Sequence, residues 1–179
     1  MYKLKKRGFR ILKIFHLLAV CCWFGGAASM LLLNLKSSVA VSEGVLYGIN
    51  TASHLIDTWV IAAFGALGCI ITGIMYGIFT TWGFFKHKWI IGKWVITAAA
   101  LTTAILFLGP AVETMLELSS ELGTDALHNQ AYLAVKSSHL YVSLLQIALY
   151  ALMIILSVIK PWGKTGKNPA PTRGKVKTP

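Results

Sequence analysis

Four long apolar runs, roughly 11–35, 55–80, 89–110 and 138–159, constrain this chain more than any other feature. Each is long enough to cross a hydrocarbon core of about 30 Å as a helix rising about 1.5 Å per residue. In lipid a lone segment satisfies all its backbone polar groups only as a helix. Composition agrees: with 56% hydrophobic and 13% charged residues and a mean hydropathy of +0.67, the chain has too little polar surface for a soluble fold of its size. The first run follows Lys3, Lys5, Lys6, Arg7 and Arg10 as in a signal peptide. Its apolar part is about 25 residues rather than 7 to 15, with no small-residue cleavage site after it, so it reads as a retained helix. The expected fold is all-α: a polytopic membrane protein in which residues 1–160 form an up-down bundle of four transmembrane helices.

The charges orient that bundle. Lys and Arg crowd the N-terminus, the second loop (Lys86, Lys88) and the tail, with Lys13 and Lys93 just inside helix ends. Only Lys36 and Lys136 fall to the first and third loops, while Glu43, Asp57, Glu113, Glu117, Glu121 and Asp125 lie in or beside them. The positive-inside rule then puts both termini in the cytoplasm. The net charge of +11 is a topology signal directed at anionic lipid headgroups. Nucleic acid is not an expected partner, because the basic clusters lack interleaved stacking aromatics.

Residues 161–179 are rich in Pro, Gly, Lys and Thr and read as a disordered basic cytoplasmic tail. In the third loop, Val112–Leu122 and Asp125–Val135 show helical spacing around a Gly123-Thr124 break, which predicts a short helical cap over the outer face. Cys21, Cys22 and Cys69 have neither disulfide-framework nor zinc spacing and read as packing residues. Gly73 and Gly77 form a GxxxG pair, a helix-contact device of low specificity.

The histidines carry the functional signal. His16, His54, His87 and His139 fall one per predicted helix, each placed near an N-terminal end. Alternating helix directions sort them into an inner pair, His16 and His87, and an outer pair, His54 and His139. In a sequential bundle each pair is diagonal, which leaves room between two imidazoles for a flat macrocycle and predicts one or two b-type haems held by bis-His ligation. At about 100° per residue, Gly65, Gly68 and Thr72 fall below His54, Gln146 and Tyr150 below His139, and Trp23, Ala27 and Asn34 follow His16. Asp57 is the expected acceptor for His54, and Lys93 either snorkels to the interface or meets a haem propionate or quinone oxygen. His128 reads as a loop surface residue, the alternative being that it competes with His139 as the outer ligand. Against this stands the ordinary behaviour of interfacial histidines, which bond to headgroups, water or backbone.

The stretches His16–Leu33 (HLLAVCCWFGGAASMLLL) and Thr81–Pro110 (TWGFFKHKWIIGKWVITAAALTTAILFLGP) resemble a family of bacterial four-helix integral membrane proteins distantly similar to the membrane part of copper-resistance D proteins. That resemblance implies a multi-pass location in the bacterial cytoplasmic membrane. The architecture also resembles small di-haem membrane cytochromes b, including quinone-linked superoxide oxidases; those do not generally take one His from each helix, so their ligand assignments do not carry over. Two classes follow. One is a haem-dependent membrane oxidoreductase exchanging electrons with quinol or another redox partner. The other is a non-redox membrane protein: a copper or small-solute permease, or a partner-binding subunit. Met30, Met75, Met115 and Met153 do not repeat at ligand spacing, which weighs against copper. No nucleophile-base pair, phosphate loop or carboxylate pair points to hydrolytic or phosphoryl chemistry.

Overall fold

A computed structural model describes residues 4–40 and 42–162. Four helices are long and apolar enough to cross a membrane: α1 Lys6–Ser37, α2 Glu43–Phe79, α3 Lys88–His128 and α4 Gln130–Ile159, of 32, 37, 41 and 30 residues. At about 1.5 Å per residue even the shortest is about 45 Å long, more than a hydrocarbon core requires.

The extra length lies at the end opposite the chain termini, and local chemistry explains it. α2 starts at Glu43 rather than near 55, because Ser42 caps it by accepting from the Val45 N–H at 3.4 Å and Glu43 supplies an acidic first turn. α4 starts at Gln130 rather than near 138, because the Asn129 Oδ1 accepts from the N–H groups of Ala131 and Tyr132 at 2.9 and 3.2 Å. α3 does not stop at Pro110. The turn before it, Ala104–Leu108, widens into a π-helix, and the helix resumes over Gly109–Leu122. A proline ring clashes with the carbonyl four residues back, and a wider turn relieves that clash. The predicted break at Gly123 is real: it has φ +57° and opens the 3-10 turn Gly123–His128. The residues expected as a separate cap are continuations of α3 and α4. The expected tail lies outside the described residues from 163 onward.

The helices alternate in direction. His16 of α1 meets Thr72 of α2, Asn34 of α1 meets His139 of α4, and on the α3–α4 pair Lys93 meets Ser157 and Ala100 meets Gln146. α1 packs against α2 and α4, and α3 packs against α4. α3 also packs against the first part of α2, Glu43–Leu55, at the far end. α1 and α2 approach closely: a Cβ on Gly65 would lie 2.8 Å from the Trp23 backbone, and one on Gly68 would lie 3.0 Å from the Ala19 Cβ. The small residues Gly65 and Gly68, expected on the inward stripe below His54, therefore seat α1 and leave no room for a ligand there.

Two cores result. Near the termini, Ala19, Trp23, Ala66, Cys69, Ala100 and Tyr150 pack together. At the far end Met30, Leu46, Val112, Met115, Ala126 and Tyr132 do so. Polarity is turned inside out, as expected for helices in lipid: α4 buries Tyr132, Lys136, His139, Ser143, Gln146 and Tyr150 while exposing Leu144, Leu145, Ile154 and Ile155.

Candidate functional site

At the end carrying the termini, α2 and α3 diverge and leave a cavity of about 600 Å³. That lies within the 300–1,000 Å³ usual for sites of small molecules and cofactors. Its walls are aromatic, with Trp23, Tyr76, Trp82, Trp89, Trp94 and Tyr150 among them. Several of these rings organise one another near the mouth. Trp82 stacks on Tyr76 with centroids 5.4 Å apart, Phe9 packs edge-on to both, and Trp89 meets Trp82 at 5.7 Å. The 80–87 connection brings Trp82 into place through a turn at Gly83, φ +62°, a conformation that favours glycine. Gly77 seats the Phe84 ring and Gly73 faces Trp94, so this GxxxG pair accommodates aromatic side chains rather than a second helix.

The polar atoms in that wall are few and basic. Lys13, His16, Lys93 and Lys160 line the cavity, and among the described residues no carboxylate does. Lys93 donates one hydrogen bond to the Ser157 Oγ at 2.9 Å, which leaves ammonium hydrogens for a ligand. The Lys160 Nζ lies 5.5 Å from the centre of the Trp82 ring.

His16 is held in a defined tautomer. The Thr72 hydroxyl donates to the Gly68 carbonyl at 2.6 Å, so its oxygen is left to accept, and the His16 Nδ1 lies 2.7 Å away. Nδ1 therefore carries the hydrogen and Nε2 is a bare lone pair. A histidine whose remote N–H is engaged in this way is prepared to ligate a metal or accept a proton.

The other expected ligands are placed differently. His87 is the residue preceding α3, its ring tilted beside Trp89 at 6.1 Å, and it is not among the cavity-lining residues. His54 and Asp57 are half-buried on α2, well inside that helix rather than at its start, and no hydrogen bond joins them among the described residues. His139 is deeply buried, its Nδ1 bonded to Asn34. Gln146 is fully buried and bonded to α3. His128 is exposed, as expected of a surface residue. No group of three or more His, Cys, Asp or Glu side chains converges as a metal site among the described residues. Sequence reasoning missed Trp82, Trp89 and Trp94 and the pairing of Thr72 with His16; the aromatic richness of 82–94 was the available signal.

The fold and cavity define a helical membrane protein with a ligand-sized, aromatic and basic chamber near its termini. No protein-family model, curated protein or solved structure matches the chain.

Proposed function

We propose that this protein is a membrane-embedded b-type haem protein of the bacterial cytoplasmic membrane, with both termini cytoplasmic and the haem seated in the chamber on His16. The observation that carries this reading is the bare His16 Nε2, set by Thr72, at the wall of an aromatic cavity whose charged side chains are all cationic. A flat macrocycle with two carboxylates needs an imidazole, aromatic walls and cations, and this cavity supplies all three. His16 would hold the haem iron, and Lys13, Lys93 and Lys160 would hold its carboxylates. Bound haem supplies one-electron redox chemistry. The chain contributes the fixed tautomer, the positive field and the aromatic walls. His16 is the one histidine lining the cavity among the described residues, which favours a single haem lacking a second imidazole ligand over the paired scheme.

A second reading shares the geometry. A bare nitrogen at His16 and a free ammonium at Lys93 line the same cavity, and they suit the two oxygens of a quinol. In that reading the haem is absent and the His16 Nε2 accepts a hydrogen bond from a quinol hydroxyl.

The difference spectrum with and without dithionite separates the two. The expected result is about one haem per chain by pyridine haemochrome, a high-spin component consistent with one strong axial ligand, and its loss in His16→Ala. His87→Ala and His54→Ala should leave it intact. A preparation that stays colourless after haemin is added, or a His16→Ala variant with an unchanged spectrum, overturns the haem reading.

A further inference from the structure

Away from the cavity, α4 turns a second set of polar atoms inward. His139 is 1% exposed and Gln146 is 0% exposed. The Asn34 Nδ2 donates to the Lys136 carbonyl at 3.2 Å, which fixes the direction of that amide because a carbonyl can only accept. The same Nδ2 lies 3.1 Å from the His139 Nδ1. Nδ1 is therefore the acceptor and the ring hydrogen sits on Nε2, the opposite arrangement to His16. That Nε2–H is buried and has no hydrogen-bond partner among the described residues. Gln146 shows the complementary defect: its Nε2 donates to the Ala100 carbonyl at 2.7 Å and the Thr103 Oγ1 at 3.0 Å, leaving Oε1 buried and without a partner among the described residues.

A donor without an acceptor and an acceptor without a donor thus stand two turns apart on one buried stripe, with Ser143 between them in sequence, its Oγ 3.4 Å from the His139 Nδ1. Leaving either unsatisfied is costly. Water resolves both, because it accepts from one and donates to the other, and buried water typically makes about three such bonds. The stripe continues in both directions. Beyond His139, the Lys136 Nζ donates to the hydroxyl of exposed Ser38 at the far end. Beyond Gln146, Tyr150 reaches the cavity wall.

We propose that a short file of ordered water runs from His139 to Gln146 and forms the middle of a proton relay between the far end of the bundle and the cavity. A proton entering at one end is matched by one leaving at the other, passed through water, imidazole and hydroxyl groups, and nothing is oxidised or reduced. The relay does not depend on the haem reading: it rests on α4, α1 and α3 atoms and operates in protein prepared without haem.

The test uses the full chain, purified without added haem, in lipid vesicles that enclose a pH-sensitive dye. A potassium diffusion potential set with valinomycin drives protons inward. The wild-type protein should acidify the vesicles faster than protein-free vesicles, His139→Leu and Gln146→Leu should each slow the flux, and Leu145→Ala on the exposed face should not. If His139→Leu fails to fold, His139→Phe keeps a flat ring without an N–H and takes its place. Thermal melts supply a second readout. Two sites joined by one water file are coupled, so the double variant should melt where the more damaged single variant melts. Flux no faster than in protein-free vesicles, flux unchanged in both variants, or additive losses in the melts overturns the relay.

Discussion

His16 and His139 both sit on inward stripes, and their hydrogen bonds set them to opposite roles. Thr72 takes the hydrogen of His16 Nδ1 and leaves Nε2 bare; Asn34 gives a hydrogen to His139 Nδ1 and leaves Nε2–H as a donor. The difference lies in the partner residues on other helices. Replacing Thr72 with Val removes the acceptor and frees the His16 ring to change tautomer. Haem titration of Thr72→Val should show affinity reduced about ten-fold or more, the range seen when partners of metal-bound histidines are removed, with the fold unchanged by circular dichroism. Equal affinity would show that the tautomer is not what prepares His16. Asn34→Leu acts on stability instead. It strips the Lys136 carbonyl and the His139 Nδ1 of a buried donor and should cost about 1–3 kcal/mol, read as a lowered melting temperature in detergent. A melt within error of wild type would mean that water replaces the amide there.

The elements show what was legible in the sequence and what was not. The number of apolar helices followed directly from hydropathy, because lipid imposes one pattern on every residue it touches. So did the inward stripes of α1 and α4, where Trp23, Ala27, Asn34, Gln146 and Tyr150 are all buried as the 100° period requires. On α2 the winding was not legible. Residues Ile56–Ala66 form a π-helix. Gly65, Gly68 and Thr72 face inward as their spacing predicts, but they pack on α1 rather than on open space. No residue in Ile56–Ala66 announces that winding, in contrast to Pro110, which marks the place of the π turn in α3. Helix ends were misread where capping by Ser42 and Asn129 outweighed the polar composition that follows them. The α1–α2 seam gives a direct check. Gly65→Ala places a Cβ 2.8 Å from the Trp23 backbone, which cannot swing away as a side chain would, and should cost about 1–3 kcal/mol. Gly25→Ala meets nothing within 4 Å and should leave the melting temperature equal or slightly raised, since alanine is favoured in a helix interior. Equal losses at both positions would show that the seam opens in the detergent-solubilised protein.

At the scale of the whole molecule, charge and cavity share one axis. The carboxylates Glu43, Glu113, Glu117, Glu121 and Asp125 stand toward the far end, while Lys5, Lys6, Arg7, Arg10, Lys86 and Lys88 surround the end where the cavity lies. If the positive-inside rule governs insertion, the cavity loads from the cytoplasmic side, where haem is available and where anionic headgroups further concentrate the basic mouth against the membrane. The relay would then connect the cavity to the outer face. Both functional readings inherit this orientation, so it merits its own measurement. Cysteines introduced as Lys86→Cys and Glu121→Cys, both at exposed positions, would be probed with a membrane-impermeant maleimide. The native thiols Cys21, Cys22 and Cys69 lie within the apolar helices α1 and α2, away from a reagent confined to water, so background labelling should be low. Glu121→Cys is expected to label in intact cells and Lys86→Cys only after permeabilisation. The reverse order would turn the bundle over, place the cavity mouth outside, and require that its ligand arrive from the extracytoplasmic side; the His16 geometry would stand, but its supply and the direction of the relay would have to be reassigned.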